Sequence, residues 1–394
     1  MTAQNTDFIP NTEGPRTTML HGVHEELGAS FTDFGGWEMP LKYDNDVAEH
    51  RAVREAAGLF DLSHMGEIRI TGPEASALLD YALVSSFSKL AVGRAKYSVM
   101  ANAEGGLVDD LITYRVGEEE YLVVPNAANA DAVLREFTVR GADFDASIHE
   151  ETSATSLIAL QGPVSAEVLA SVMDNVRLAD GSEDLADLKY YAAAPATIAG
   201  IEVLLARTGY TGEDGFELYV PNESAGALWN ALLEAGREHG VVPAGLAARD
   251  SLRLEAGMPL YGHELGPNVS PYTSGLGKMV DIALKNGADF VGREALERAQ
   301  ERAHEPRQRV LVGLRGLSKR PARAEAKLVT GDGEDRREVG VVTSGIPSPT
   351  LGYPIAMAHV EREQSDVGKT IAVDIRGKTN DFEVVELPFY RRSK

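Results

Sequence analysis

The chain contains no cysteine. Disulfides, thiolate metal sites and a cysteine nucleophile are therefore excluded. It has no apolar run approaching roughly 18 residues, so no segment reads as a membrane span. Positive charge is scarce: 38 Lys and Arg stand against 60 Asp and Glu, a formal charge of -22. That balance excludes non-specific binding to nucleic acid and docking on anionic membranes, but a local basic pocket for a small anion remains compatible with it. Residues 1–16 are polar and lack an apolar centre, so they read as a loose tail, not a signal peptide. The expected location is cytoplasmic. Phosphate-binding glycine loops are missing too, both the G-x-G-x-x-G and the G-x-x-x-x-G-K-[ST] kind. The nine histidines show no H-E-x-x-H motif, so no metal is expected. No G-x-S-x-G elbow marks a serine nucleophile.

What is present is an ordinary globular composition, 43% hydrophobic and 25% charged over 394 residues, enough for two or three domains. Strands are expected near 66–71, 107–115, 120–124, 155–160, 201–206 and 215–220. Gly72-Pro73 opens a helix with Pro at its first position. Asn222 is the expected cap of another helix, which carries Leu228, Trp229 and Leu232 on one face. Residues 17–296 form one region, and the charged stretch 297–308 reads as a linker. Beyond it, 309–394 shows short strands near 309–313, 337–343, 354–360, 370–375 and 382–386, the spacing of a small barrel or sandwich. No regular strand–helix alternation appears, so the class is α+β.

The densest chemical signal is Gly105-Gly106-Leu107-Val108-Asp109-Asp110-Leu111-Ile112-Thr113-Tyr114. A glycine turn launches an apolar strand holding two adjacent carboxylates. Alternation puts Asp110 on the face of Val108, Ile112 and Tyr114, and Asp109 on the other. Asp110 and Tyr114 are about 13 Å apart along that face, so a long flat ligand could touch both. In Arg207–Val220, Glu217 and Tyr219 share a strand face; by pattern alone Glu217 is the wet side of an amphipathic strand. In the helix Ala244–Gly257, Arg249 and Arg253 lie four apart; by pattern alone they form a solvated ladder with Asp250. A lone His64 at a strand entrance reads as a hydrogen-bonded structural residue. The closing Leu387-Pro388-Phe389-Tyr390-Arg391-Arg392 reads as a tail.

Taken in order, these segments resemble the T-protein of the glycine cleavage system, the tetrahydrofolate-dependent aminomethyltransferases. The resemblance rests on Phe34-Gly35-Gly36-Trp37-Glu38-Met39-Pro40-Leu41, Gly58–Glu67, Lys96-Tyr97-Ser98-Val99-Met100, the acidic strand, Thr208-Gly209-Tyr210-Thr211-Gly212-Glu213, Ala247-Ala248-Arg249-Asp250 and the Thr343–Gly352 turn. It covers nearly the whole chain. It implies three lobes around a central folate-binding hole: two interleaved α/β lobes plus a C-terminal β-barrel. It implies transfer of a one-carbon unit from the S-aminomethyldihydrolipoyl carrier, the lipoylated H-protein, to tetrahydrofolate, with release of ammonia. The other components of the glycine cleavage system are the further implied partners.

By matching position, the resemblance makes Asp110 the catalytic acidic residue near folate N10 and the reacting methylene, steering protons and stabilising the cationic carbon, and leaves Asp109 to structure. Glu217 would read the pterin edge through paired hydrogen bonds, reversing the reading from pattern alone. Arg249 would stand near the same end. Tyr97, Tyr114, Tyr191 and Tyr210 would line the flat ring system, with Met65, Asn126 and Arg391 as further lining positions. Met258 and Pro125 depart from the pattern. The rival reading is a non-transferase folate-binding relative, one that docks a carrier or maintains iron–sulfur proteins; the latter group carries a cysteine signature where this chain has Gly209–Glu213.

Overall fold

The computed structural model describes residues 14–331 and 335–392. Most of the expected tail lies outside the described residues, but its last residue does not behave as a tail. Arg16 bonds through its backbone to Gly36 and Glu38, and its guanidinium lies 4.4 Å over the Trp37 ring. Trp37 belongs to a hairpin, Ser30–Phe34 with Trp37–Lys42. Its two-residue loop is Gly35-Gly36, both at positive φ (63° and 82°), the conformation a tight hairpin turn demands. The turn places Phe34, still 38% exposed, at the rim of the cavity described below.

Two antiparallel sheets follow, interleaved in sequence. Ala57–Asp61 is buried at all five positions, a strand covered on both faces and so without alternation. It joins a seven-stranded sheet that the chain then leaves. Next it builds a five-stranded sheet in the spatial order Ala95–Ala101, Leu107–Gly117, Glu120–Pro125, Ile68–Thr71, Ser147–Glu150. It returns at Thr155–Gln161 to complete the first sheet, adding Met173–Val176, Ala193–Ile198, Ile201–Ala206, Gly215–Pro221 and Val241–Pro243. Only the last of these pairs is parallel, Val241–Pro243 beside Ala57–Asp61.

Helix Ala225–Gly236 presses Leu228, Trp229 and Leu232, all fully buried, onto this sheet beside Val168 and Leu169. Burial of each such leucine is worth roughly 1.5–3 kcal/mol. Asn222 does not cap that helix as expected. It sits one turn earlier, accepting from the Ser156 hydroxyl at 2.6 Å and donating to the Ser153 carbonyl at 2.9 Å. The helix after Gly72-Pro73 starts at Ala75 with Glu74 as its cap, so Pro73 precedes the first turn instead of filling it.

The stretch expected as a linker, 297–308, is helical in its first half: Arg293–Arg302 is one helix. From Arg309 the chain forms a closed six-stranded barrel. Its interior holds Val312, Leu314, Leu328, Val342, Ala358, Phe382 and Val384. The barrel docks on helix Leu246–Glu255 through buried polar groups. Arg253, only 1% exposed, donates to Glu264 at 3.0 Å, to Ser344 at 2.8 Å and to Asp250 at 2.8 Å. It is no solvated ladder member. Glu255, wholly buried, lies 3.2 Å from His50 and 2.9 Å from Arg54, and it accepts from the Ser348 hydroxyl and the Thr350 amide of the barrel turn.

Candidate active site

The acidic strand is set by its turn and by the early end of its neighbour. A Cβ added at Gly106 would stand 1.8 Å from the Pro267 carbonyl oxygen, so only glycine lets the turn lie against that loop. Strand Leu107–Gly117 pairs with Ala95–Ala101 along one edge and with Glu120–Pro125 along the other. The second ladder stops at Leu111 opposite Pro125, whose ring has no N–H to donate. Asp109 and Asp110 thus lie beyond the end of the neighbouring strand, and Asn126 fills the gap. Its backbone N–H donates to Asp109 Oδ2 at 2.8 Å. Its side-chain amide lies 2.9 Å from Asp109 Oδ1, Asp110 Oδ1 and the Asp110 carbonyl oxygen alike. Asn129 adds a 2.6 Å hydrogen bond to Asp109 Oδ1. From the other edge, the Tyr97 hydroxyl donates to Asp110 Oδ2 at 3.0 Å.

Burial raises the pKa of both carboxyls. For Asp110 the hydrogen bonds from Tyr97 and Asn126 oppose the rise. For Asp109 the charge of Asp110 adds to burial, against the amides of Asn126 and Asn129. Burial and the adjacent Asp110 charge push the Tyr97 hydroxyl well above its usual value, so it stays protonated and donates.

Asp110 faces a cavity of about 190 Å³ between the two sheets. From the seven-stranded sheet Glu217 lines the same cavity, placed by pairing with Ala159 and Ala206 on either side. Glu217 Oε2 accepts from the Thr208 hydroxyl at 2.5 Å and from the Tyr114 hydroxyl at 3.3 Å. Among the described residues nothing hydrogen-bonds Oε1. Arg249 lines it too, 4.8 Å over the Tyr210 ring, and among the described residues its guanidinium has no ion pair or hydrogen bond. Burial pulls its pKa down, against the charges of Tyr210 and Glu217; an arginine nonetheless keeps its proton in proteins. Tyr191 is held in the left-handed region at φ 58°, a strained conformation for a tyrosine, and lines the same cavity.

The structure brings together most of the residues named from the sequence. Asp110, Glu217, Arg249, Tyr97, Asn126, Tyr191, Tyr210 and Met65 all line the cavity. Two do not. Tyr114 is fully buried and stands behind Glu217, because the adjoining Thr208 and Tyr219 close the space in front of it. Arg391 is exposed and lies outside the cavity wall. The C-terminal segment around it is nevertheless no loose tail. The Tyr390 ring lies 4.0 Å under Arg54, its N–H bonds the Glu255 carbonyl at 2.8 Å, and Arg392 reaches Asp214 at 3.7 Å.

Among the wall residues that sequence reasoning missed are Phe34, His64 and Tyr261. His64 is not the hydrogen-bonded structural residue expected: its Nδ1 is buried without a partner. Burial and the charge of Arg249 lower its pKa to about 4, so the ring is neutral near pH 7, edge-on to Phe34 at 5.6 Å. Its position at the end of a strand covered on both faces was the signal available. A second hollow of about 540 Å³ adjoins the cavity, sharing Phe34, Tyr210, Arg249 and Leu260 as a common wall. The site thus offers a desolvated carboxylate facing a flat, tyrosine-lined space, with a free carboxylate oxygen and a cation also lining it.

Comparison with known proteins agrees with this architecture. Residues 20–283 match the GCVT N-terminal domain, and residues 309–391 match the glycine cleavage T-protein C-terminal barrel domain. An aminomethyltransferase of Cutibacterium acnes is 52% identical over 378 residues, covering 96% of this chain and 99% of the relative. That of Saccharopolyspora erythraea is 53% identical, with the same shares covered. The crystal structure of the glycine cleavage system aminomethyltransferase T of Bartonella henselae superposes with a TM-score of 0.85 at 36% identity, over 96% of this chain and 99% of that one. The chain belongs to the glycine cleavage T-protein family, the aminomethyltransferases.

Proposed function

We propose that this aminomethyltransferase of the glycine cleavage system takes its one-carbon unit from the S-aminomethyldihydrolipoyl arm of a carrier protein and delivers it to tetrahydrofolate. The overall change breaks the carbon–sulfur and carbon–nitrogen bonds of the aminomethyl group. Two new carbon–nitrogen bonds form, to N5 and N10 of the folate. The two N–H protons lost there end on the amine, which leaves as ammonia, and on the sulfur of the dihydrolipoyl arm. Tetrahydrofolate supplies the two nucleophilic nitrogens.

The observation that carries this reading is one cavity lined from separate elements: Asp110 from the five-stranded sheet, Glu217 from the seven-stranded sheet and Arg249 from helix Leu246–Glu255, with Glu217 Oε1 and the Arg249 guanidinium unpartnered among the described residues and tyrosines lining the space. The donor set fits a pteridine. A carboxylate oxygen without a partner accepts from an N–H edge, and Thr208 and Tyr114 hold the other oxygen so that the carboxylate cannot rotate. Tyr97, Tyr191 and Tyr210 offer flat faces to a planar heterocycle.

Asp110, buried and fixed by Tyr97 and Asn126, accepts a proton from the reacting nitrogen. While ionised it also stabilises positive charge developing on the transferred carbon. Fixed dipoles in a dry site do this without reorganising. The adjoining hollow supports a site approached from two directions, one for each reactant. Purified protein given aminomethylated lipoyl carrier and tetrahydrofolate is expected to release ammonia and 5,10-methylenetetrahydrofolate together. Ammonia release no faster than the carrier's spontaneous loss contradicts the proposal.

A further inference from the structure

We propose that Asp109 is a positioning residue for the transfer, fixing the Asn126 amide that in turn fixes the Asp110 carboxylate. This rests on the assignment of Asp110 as the group that meets the reacting atoms.

Asp109 points away from the cavity and is wholly buried, yet it is not packed as an inert core residue. It accepts from the Asn126 backbone N–H at 2.8 Å, from the Asn126 side-chain amide at 2.9 Å and from the Asn129 amide at 2.6 Å. The same Asn126 amide nitrogen is 2.9 Å from Asp110 Oδ1. One NH₂ group therefore joins two adjacent carboxylates on opposite faces of a strand. This is possible only because the neighbouring strand ends at Pro125 and its next residue wraps round the exposed edge. Of the two side-chain donors that hold Asp110, Tyr97 comes from the neighbouring strand and is itself part of the cavity wall. The other, Asn126, owes its orientation to Asp109. Adjacent buried carboxylates repel one another, and an arrangement that keeps both is costly unless each is satisfied. The amide bridge satisfies both and links their geometry.

Asp109→Asn retains the shape but turns one acceptor oxygen into a donor. Three donors converge on that carboxylate, so at least one would face another donor. With the nitrogen at the Oδ2 position the Asn126 backbone N–H is displaced, and with it at the Oδ1 position the side-chain amides are; either way Asn126 shifts, and its hydrogen bond to Asp110 is lost or misaligned. Misplacing a reacting group by about 1 Å costs up to roughly 100-fold in rate. For Asp109→Asn we expect kcat to fall about 10- to 100-fold, while the calorimetric Kd for tetrahydrofolate stays within about threefold, because Glu217 and Arg249 are untouched.

The decisive readout is coupling. In an Asn126→Ala background, Asp109→Asn is expected to cause no further loss of kcat, since the group through which it acts is gone. A purely structural residue gives independent, multiplying losses. Wild-type kcat in Asp109→Asn, or independent losses in the double variant, overturns the proposal. Should Asp109→Asn fail to fold, Asn129→Ala decides. It removes one of the three donors and is expected to lower kcat without altering folate binding; an unchanged kcat counts against the assignment. Asp110→Asn, assayed alongside, separates the two readings. If it keeps transferring, the catalytic assignment fails and Asp109 falls with it. If it is inactive while Asp109→Asn is normal, only the positioning role is lost.

Discussion

Tyr114 stands 3.3 Å behind Glu217 Oε2 and never reaches the cavity. It shares that oxygen with the Thr208 hydroxyl, which approaches to 2.5 Å. The aromatic residue expected on the ligand therefore supports a cavity-lining carboxylate instead. Tyr114→Phe is expected to weaken tetrahydrofolate binding only indirectly, by about 0.5–1.5 kcal/mol, because the shorter bond from the Thr208 hydroxyl still holds the same carboxylate oxygen. Isothermal calorimetry checks this; a loss as large as that of Glu217→Gln places Tyr114 in direct contact after all.

Glu217→Gln replaces a charged acceptor by an amide at an edge-reading position. Hydrogen bonds to charged groups contribute about 1.5–3 kcal/mol, and tetrahydrofolate affinity is expected to fall by that amount. An unchanged Kd removes Glu217 from the binding site.

Burial raises the pKa of the Asp110 carboxyl despite the hydrogen bonds of Tyr97 and Asn126. In the proposed transfer its ionised form is the proton acceptor, and that form is lost as pH falls through the raised value. The acid limb of kcat is thus expected well above the ordinary carboxylate range of roughly 4. A profile flat down to that range contradicts a buried, raised Asp110 as the acceptor.

The barrel docks through Glu255, and this contact has its own pH signature. Burial raises its pKa, but hydrogen bonds from His50 and Ser348 and the charge of Arg54 prevail, taking it from 4.5 down to about 2. A depressed folded-state pKa gives stability that is complete above the unfolded value and is lost as pH falls toward the folded one. Melting temperature is expected to drop between pH 4.5 and about 2, and Glu255→Ala at neutral pH should cost on the order of 3–5 kcal/mol by removing a buried partner of the Arg54 guanidinium. In Glu255→Gln that acid-dependent component should shrink; an unchanged acid profile assigns it to other carboxylates.

Sequence pattern revealed what obeys a local rule. The acidic strand, its glycine turn and the barrel strand Thr370–Ile375 follow from period and punctuation. Ala57–Asp61 did not, because a strand buried at every position shows no alternation. The short Lys327–Thr330 strand was equally silent, being four residues between turns. The site was legible where residue type carried chemistry, as at Asp110, and illegible where tertiary geometry decided. Pattern alone placed Glu217 in water; only the closing of one sheet over the other puts it on the cavity wall. Tyr114 shares a strand face with Asp110, but the seven-stranded sheet covers that face before Tyr114 reaches the cavity. His64 was set aside for lack of metal partners, although what distinguishes it is a buried, unpartnered Nδ1 beside the cavity.

Single-turnover transfer by Asp110→Asn, measured beside tetrahydrofolate binding to the same variant, tests the account most directly. A carboxylate acting as proton acceptor in a dry site accounts for roughly 10²–10⁴-fold in rate, so the chemical step should slow by at least that range while folate binds nearly as before. Transfer at an undiminished rate, with ammonia and methylenetetrahydrofolate still appearing together, contradicts the catalytic role of Asp110.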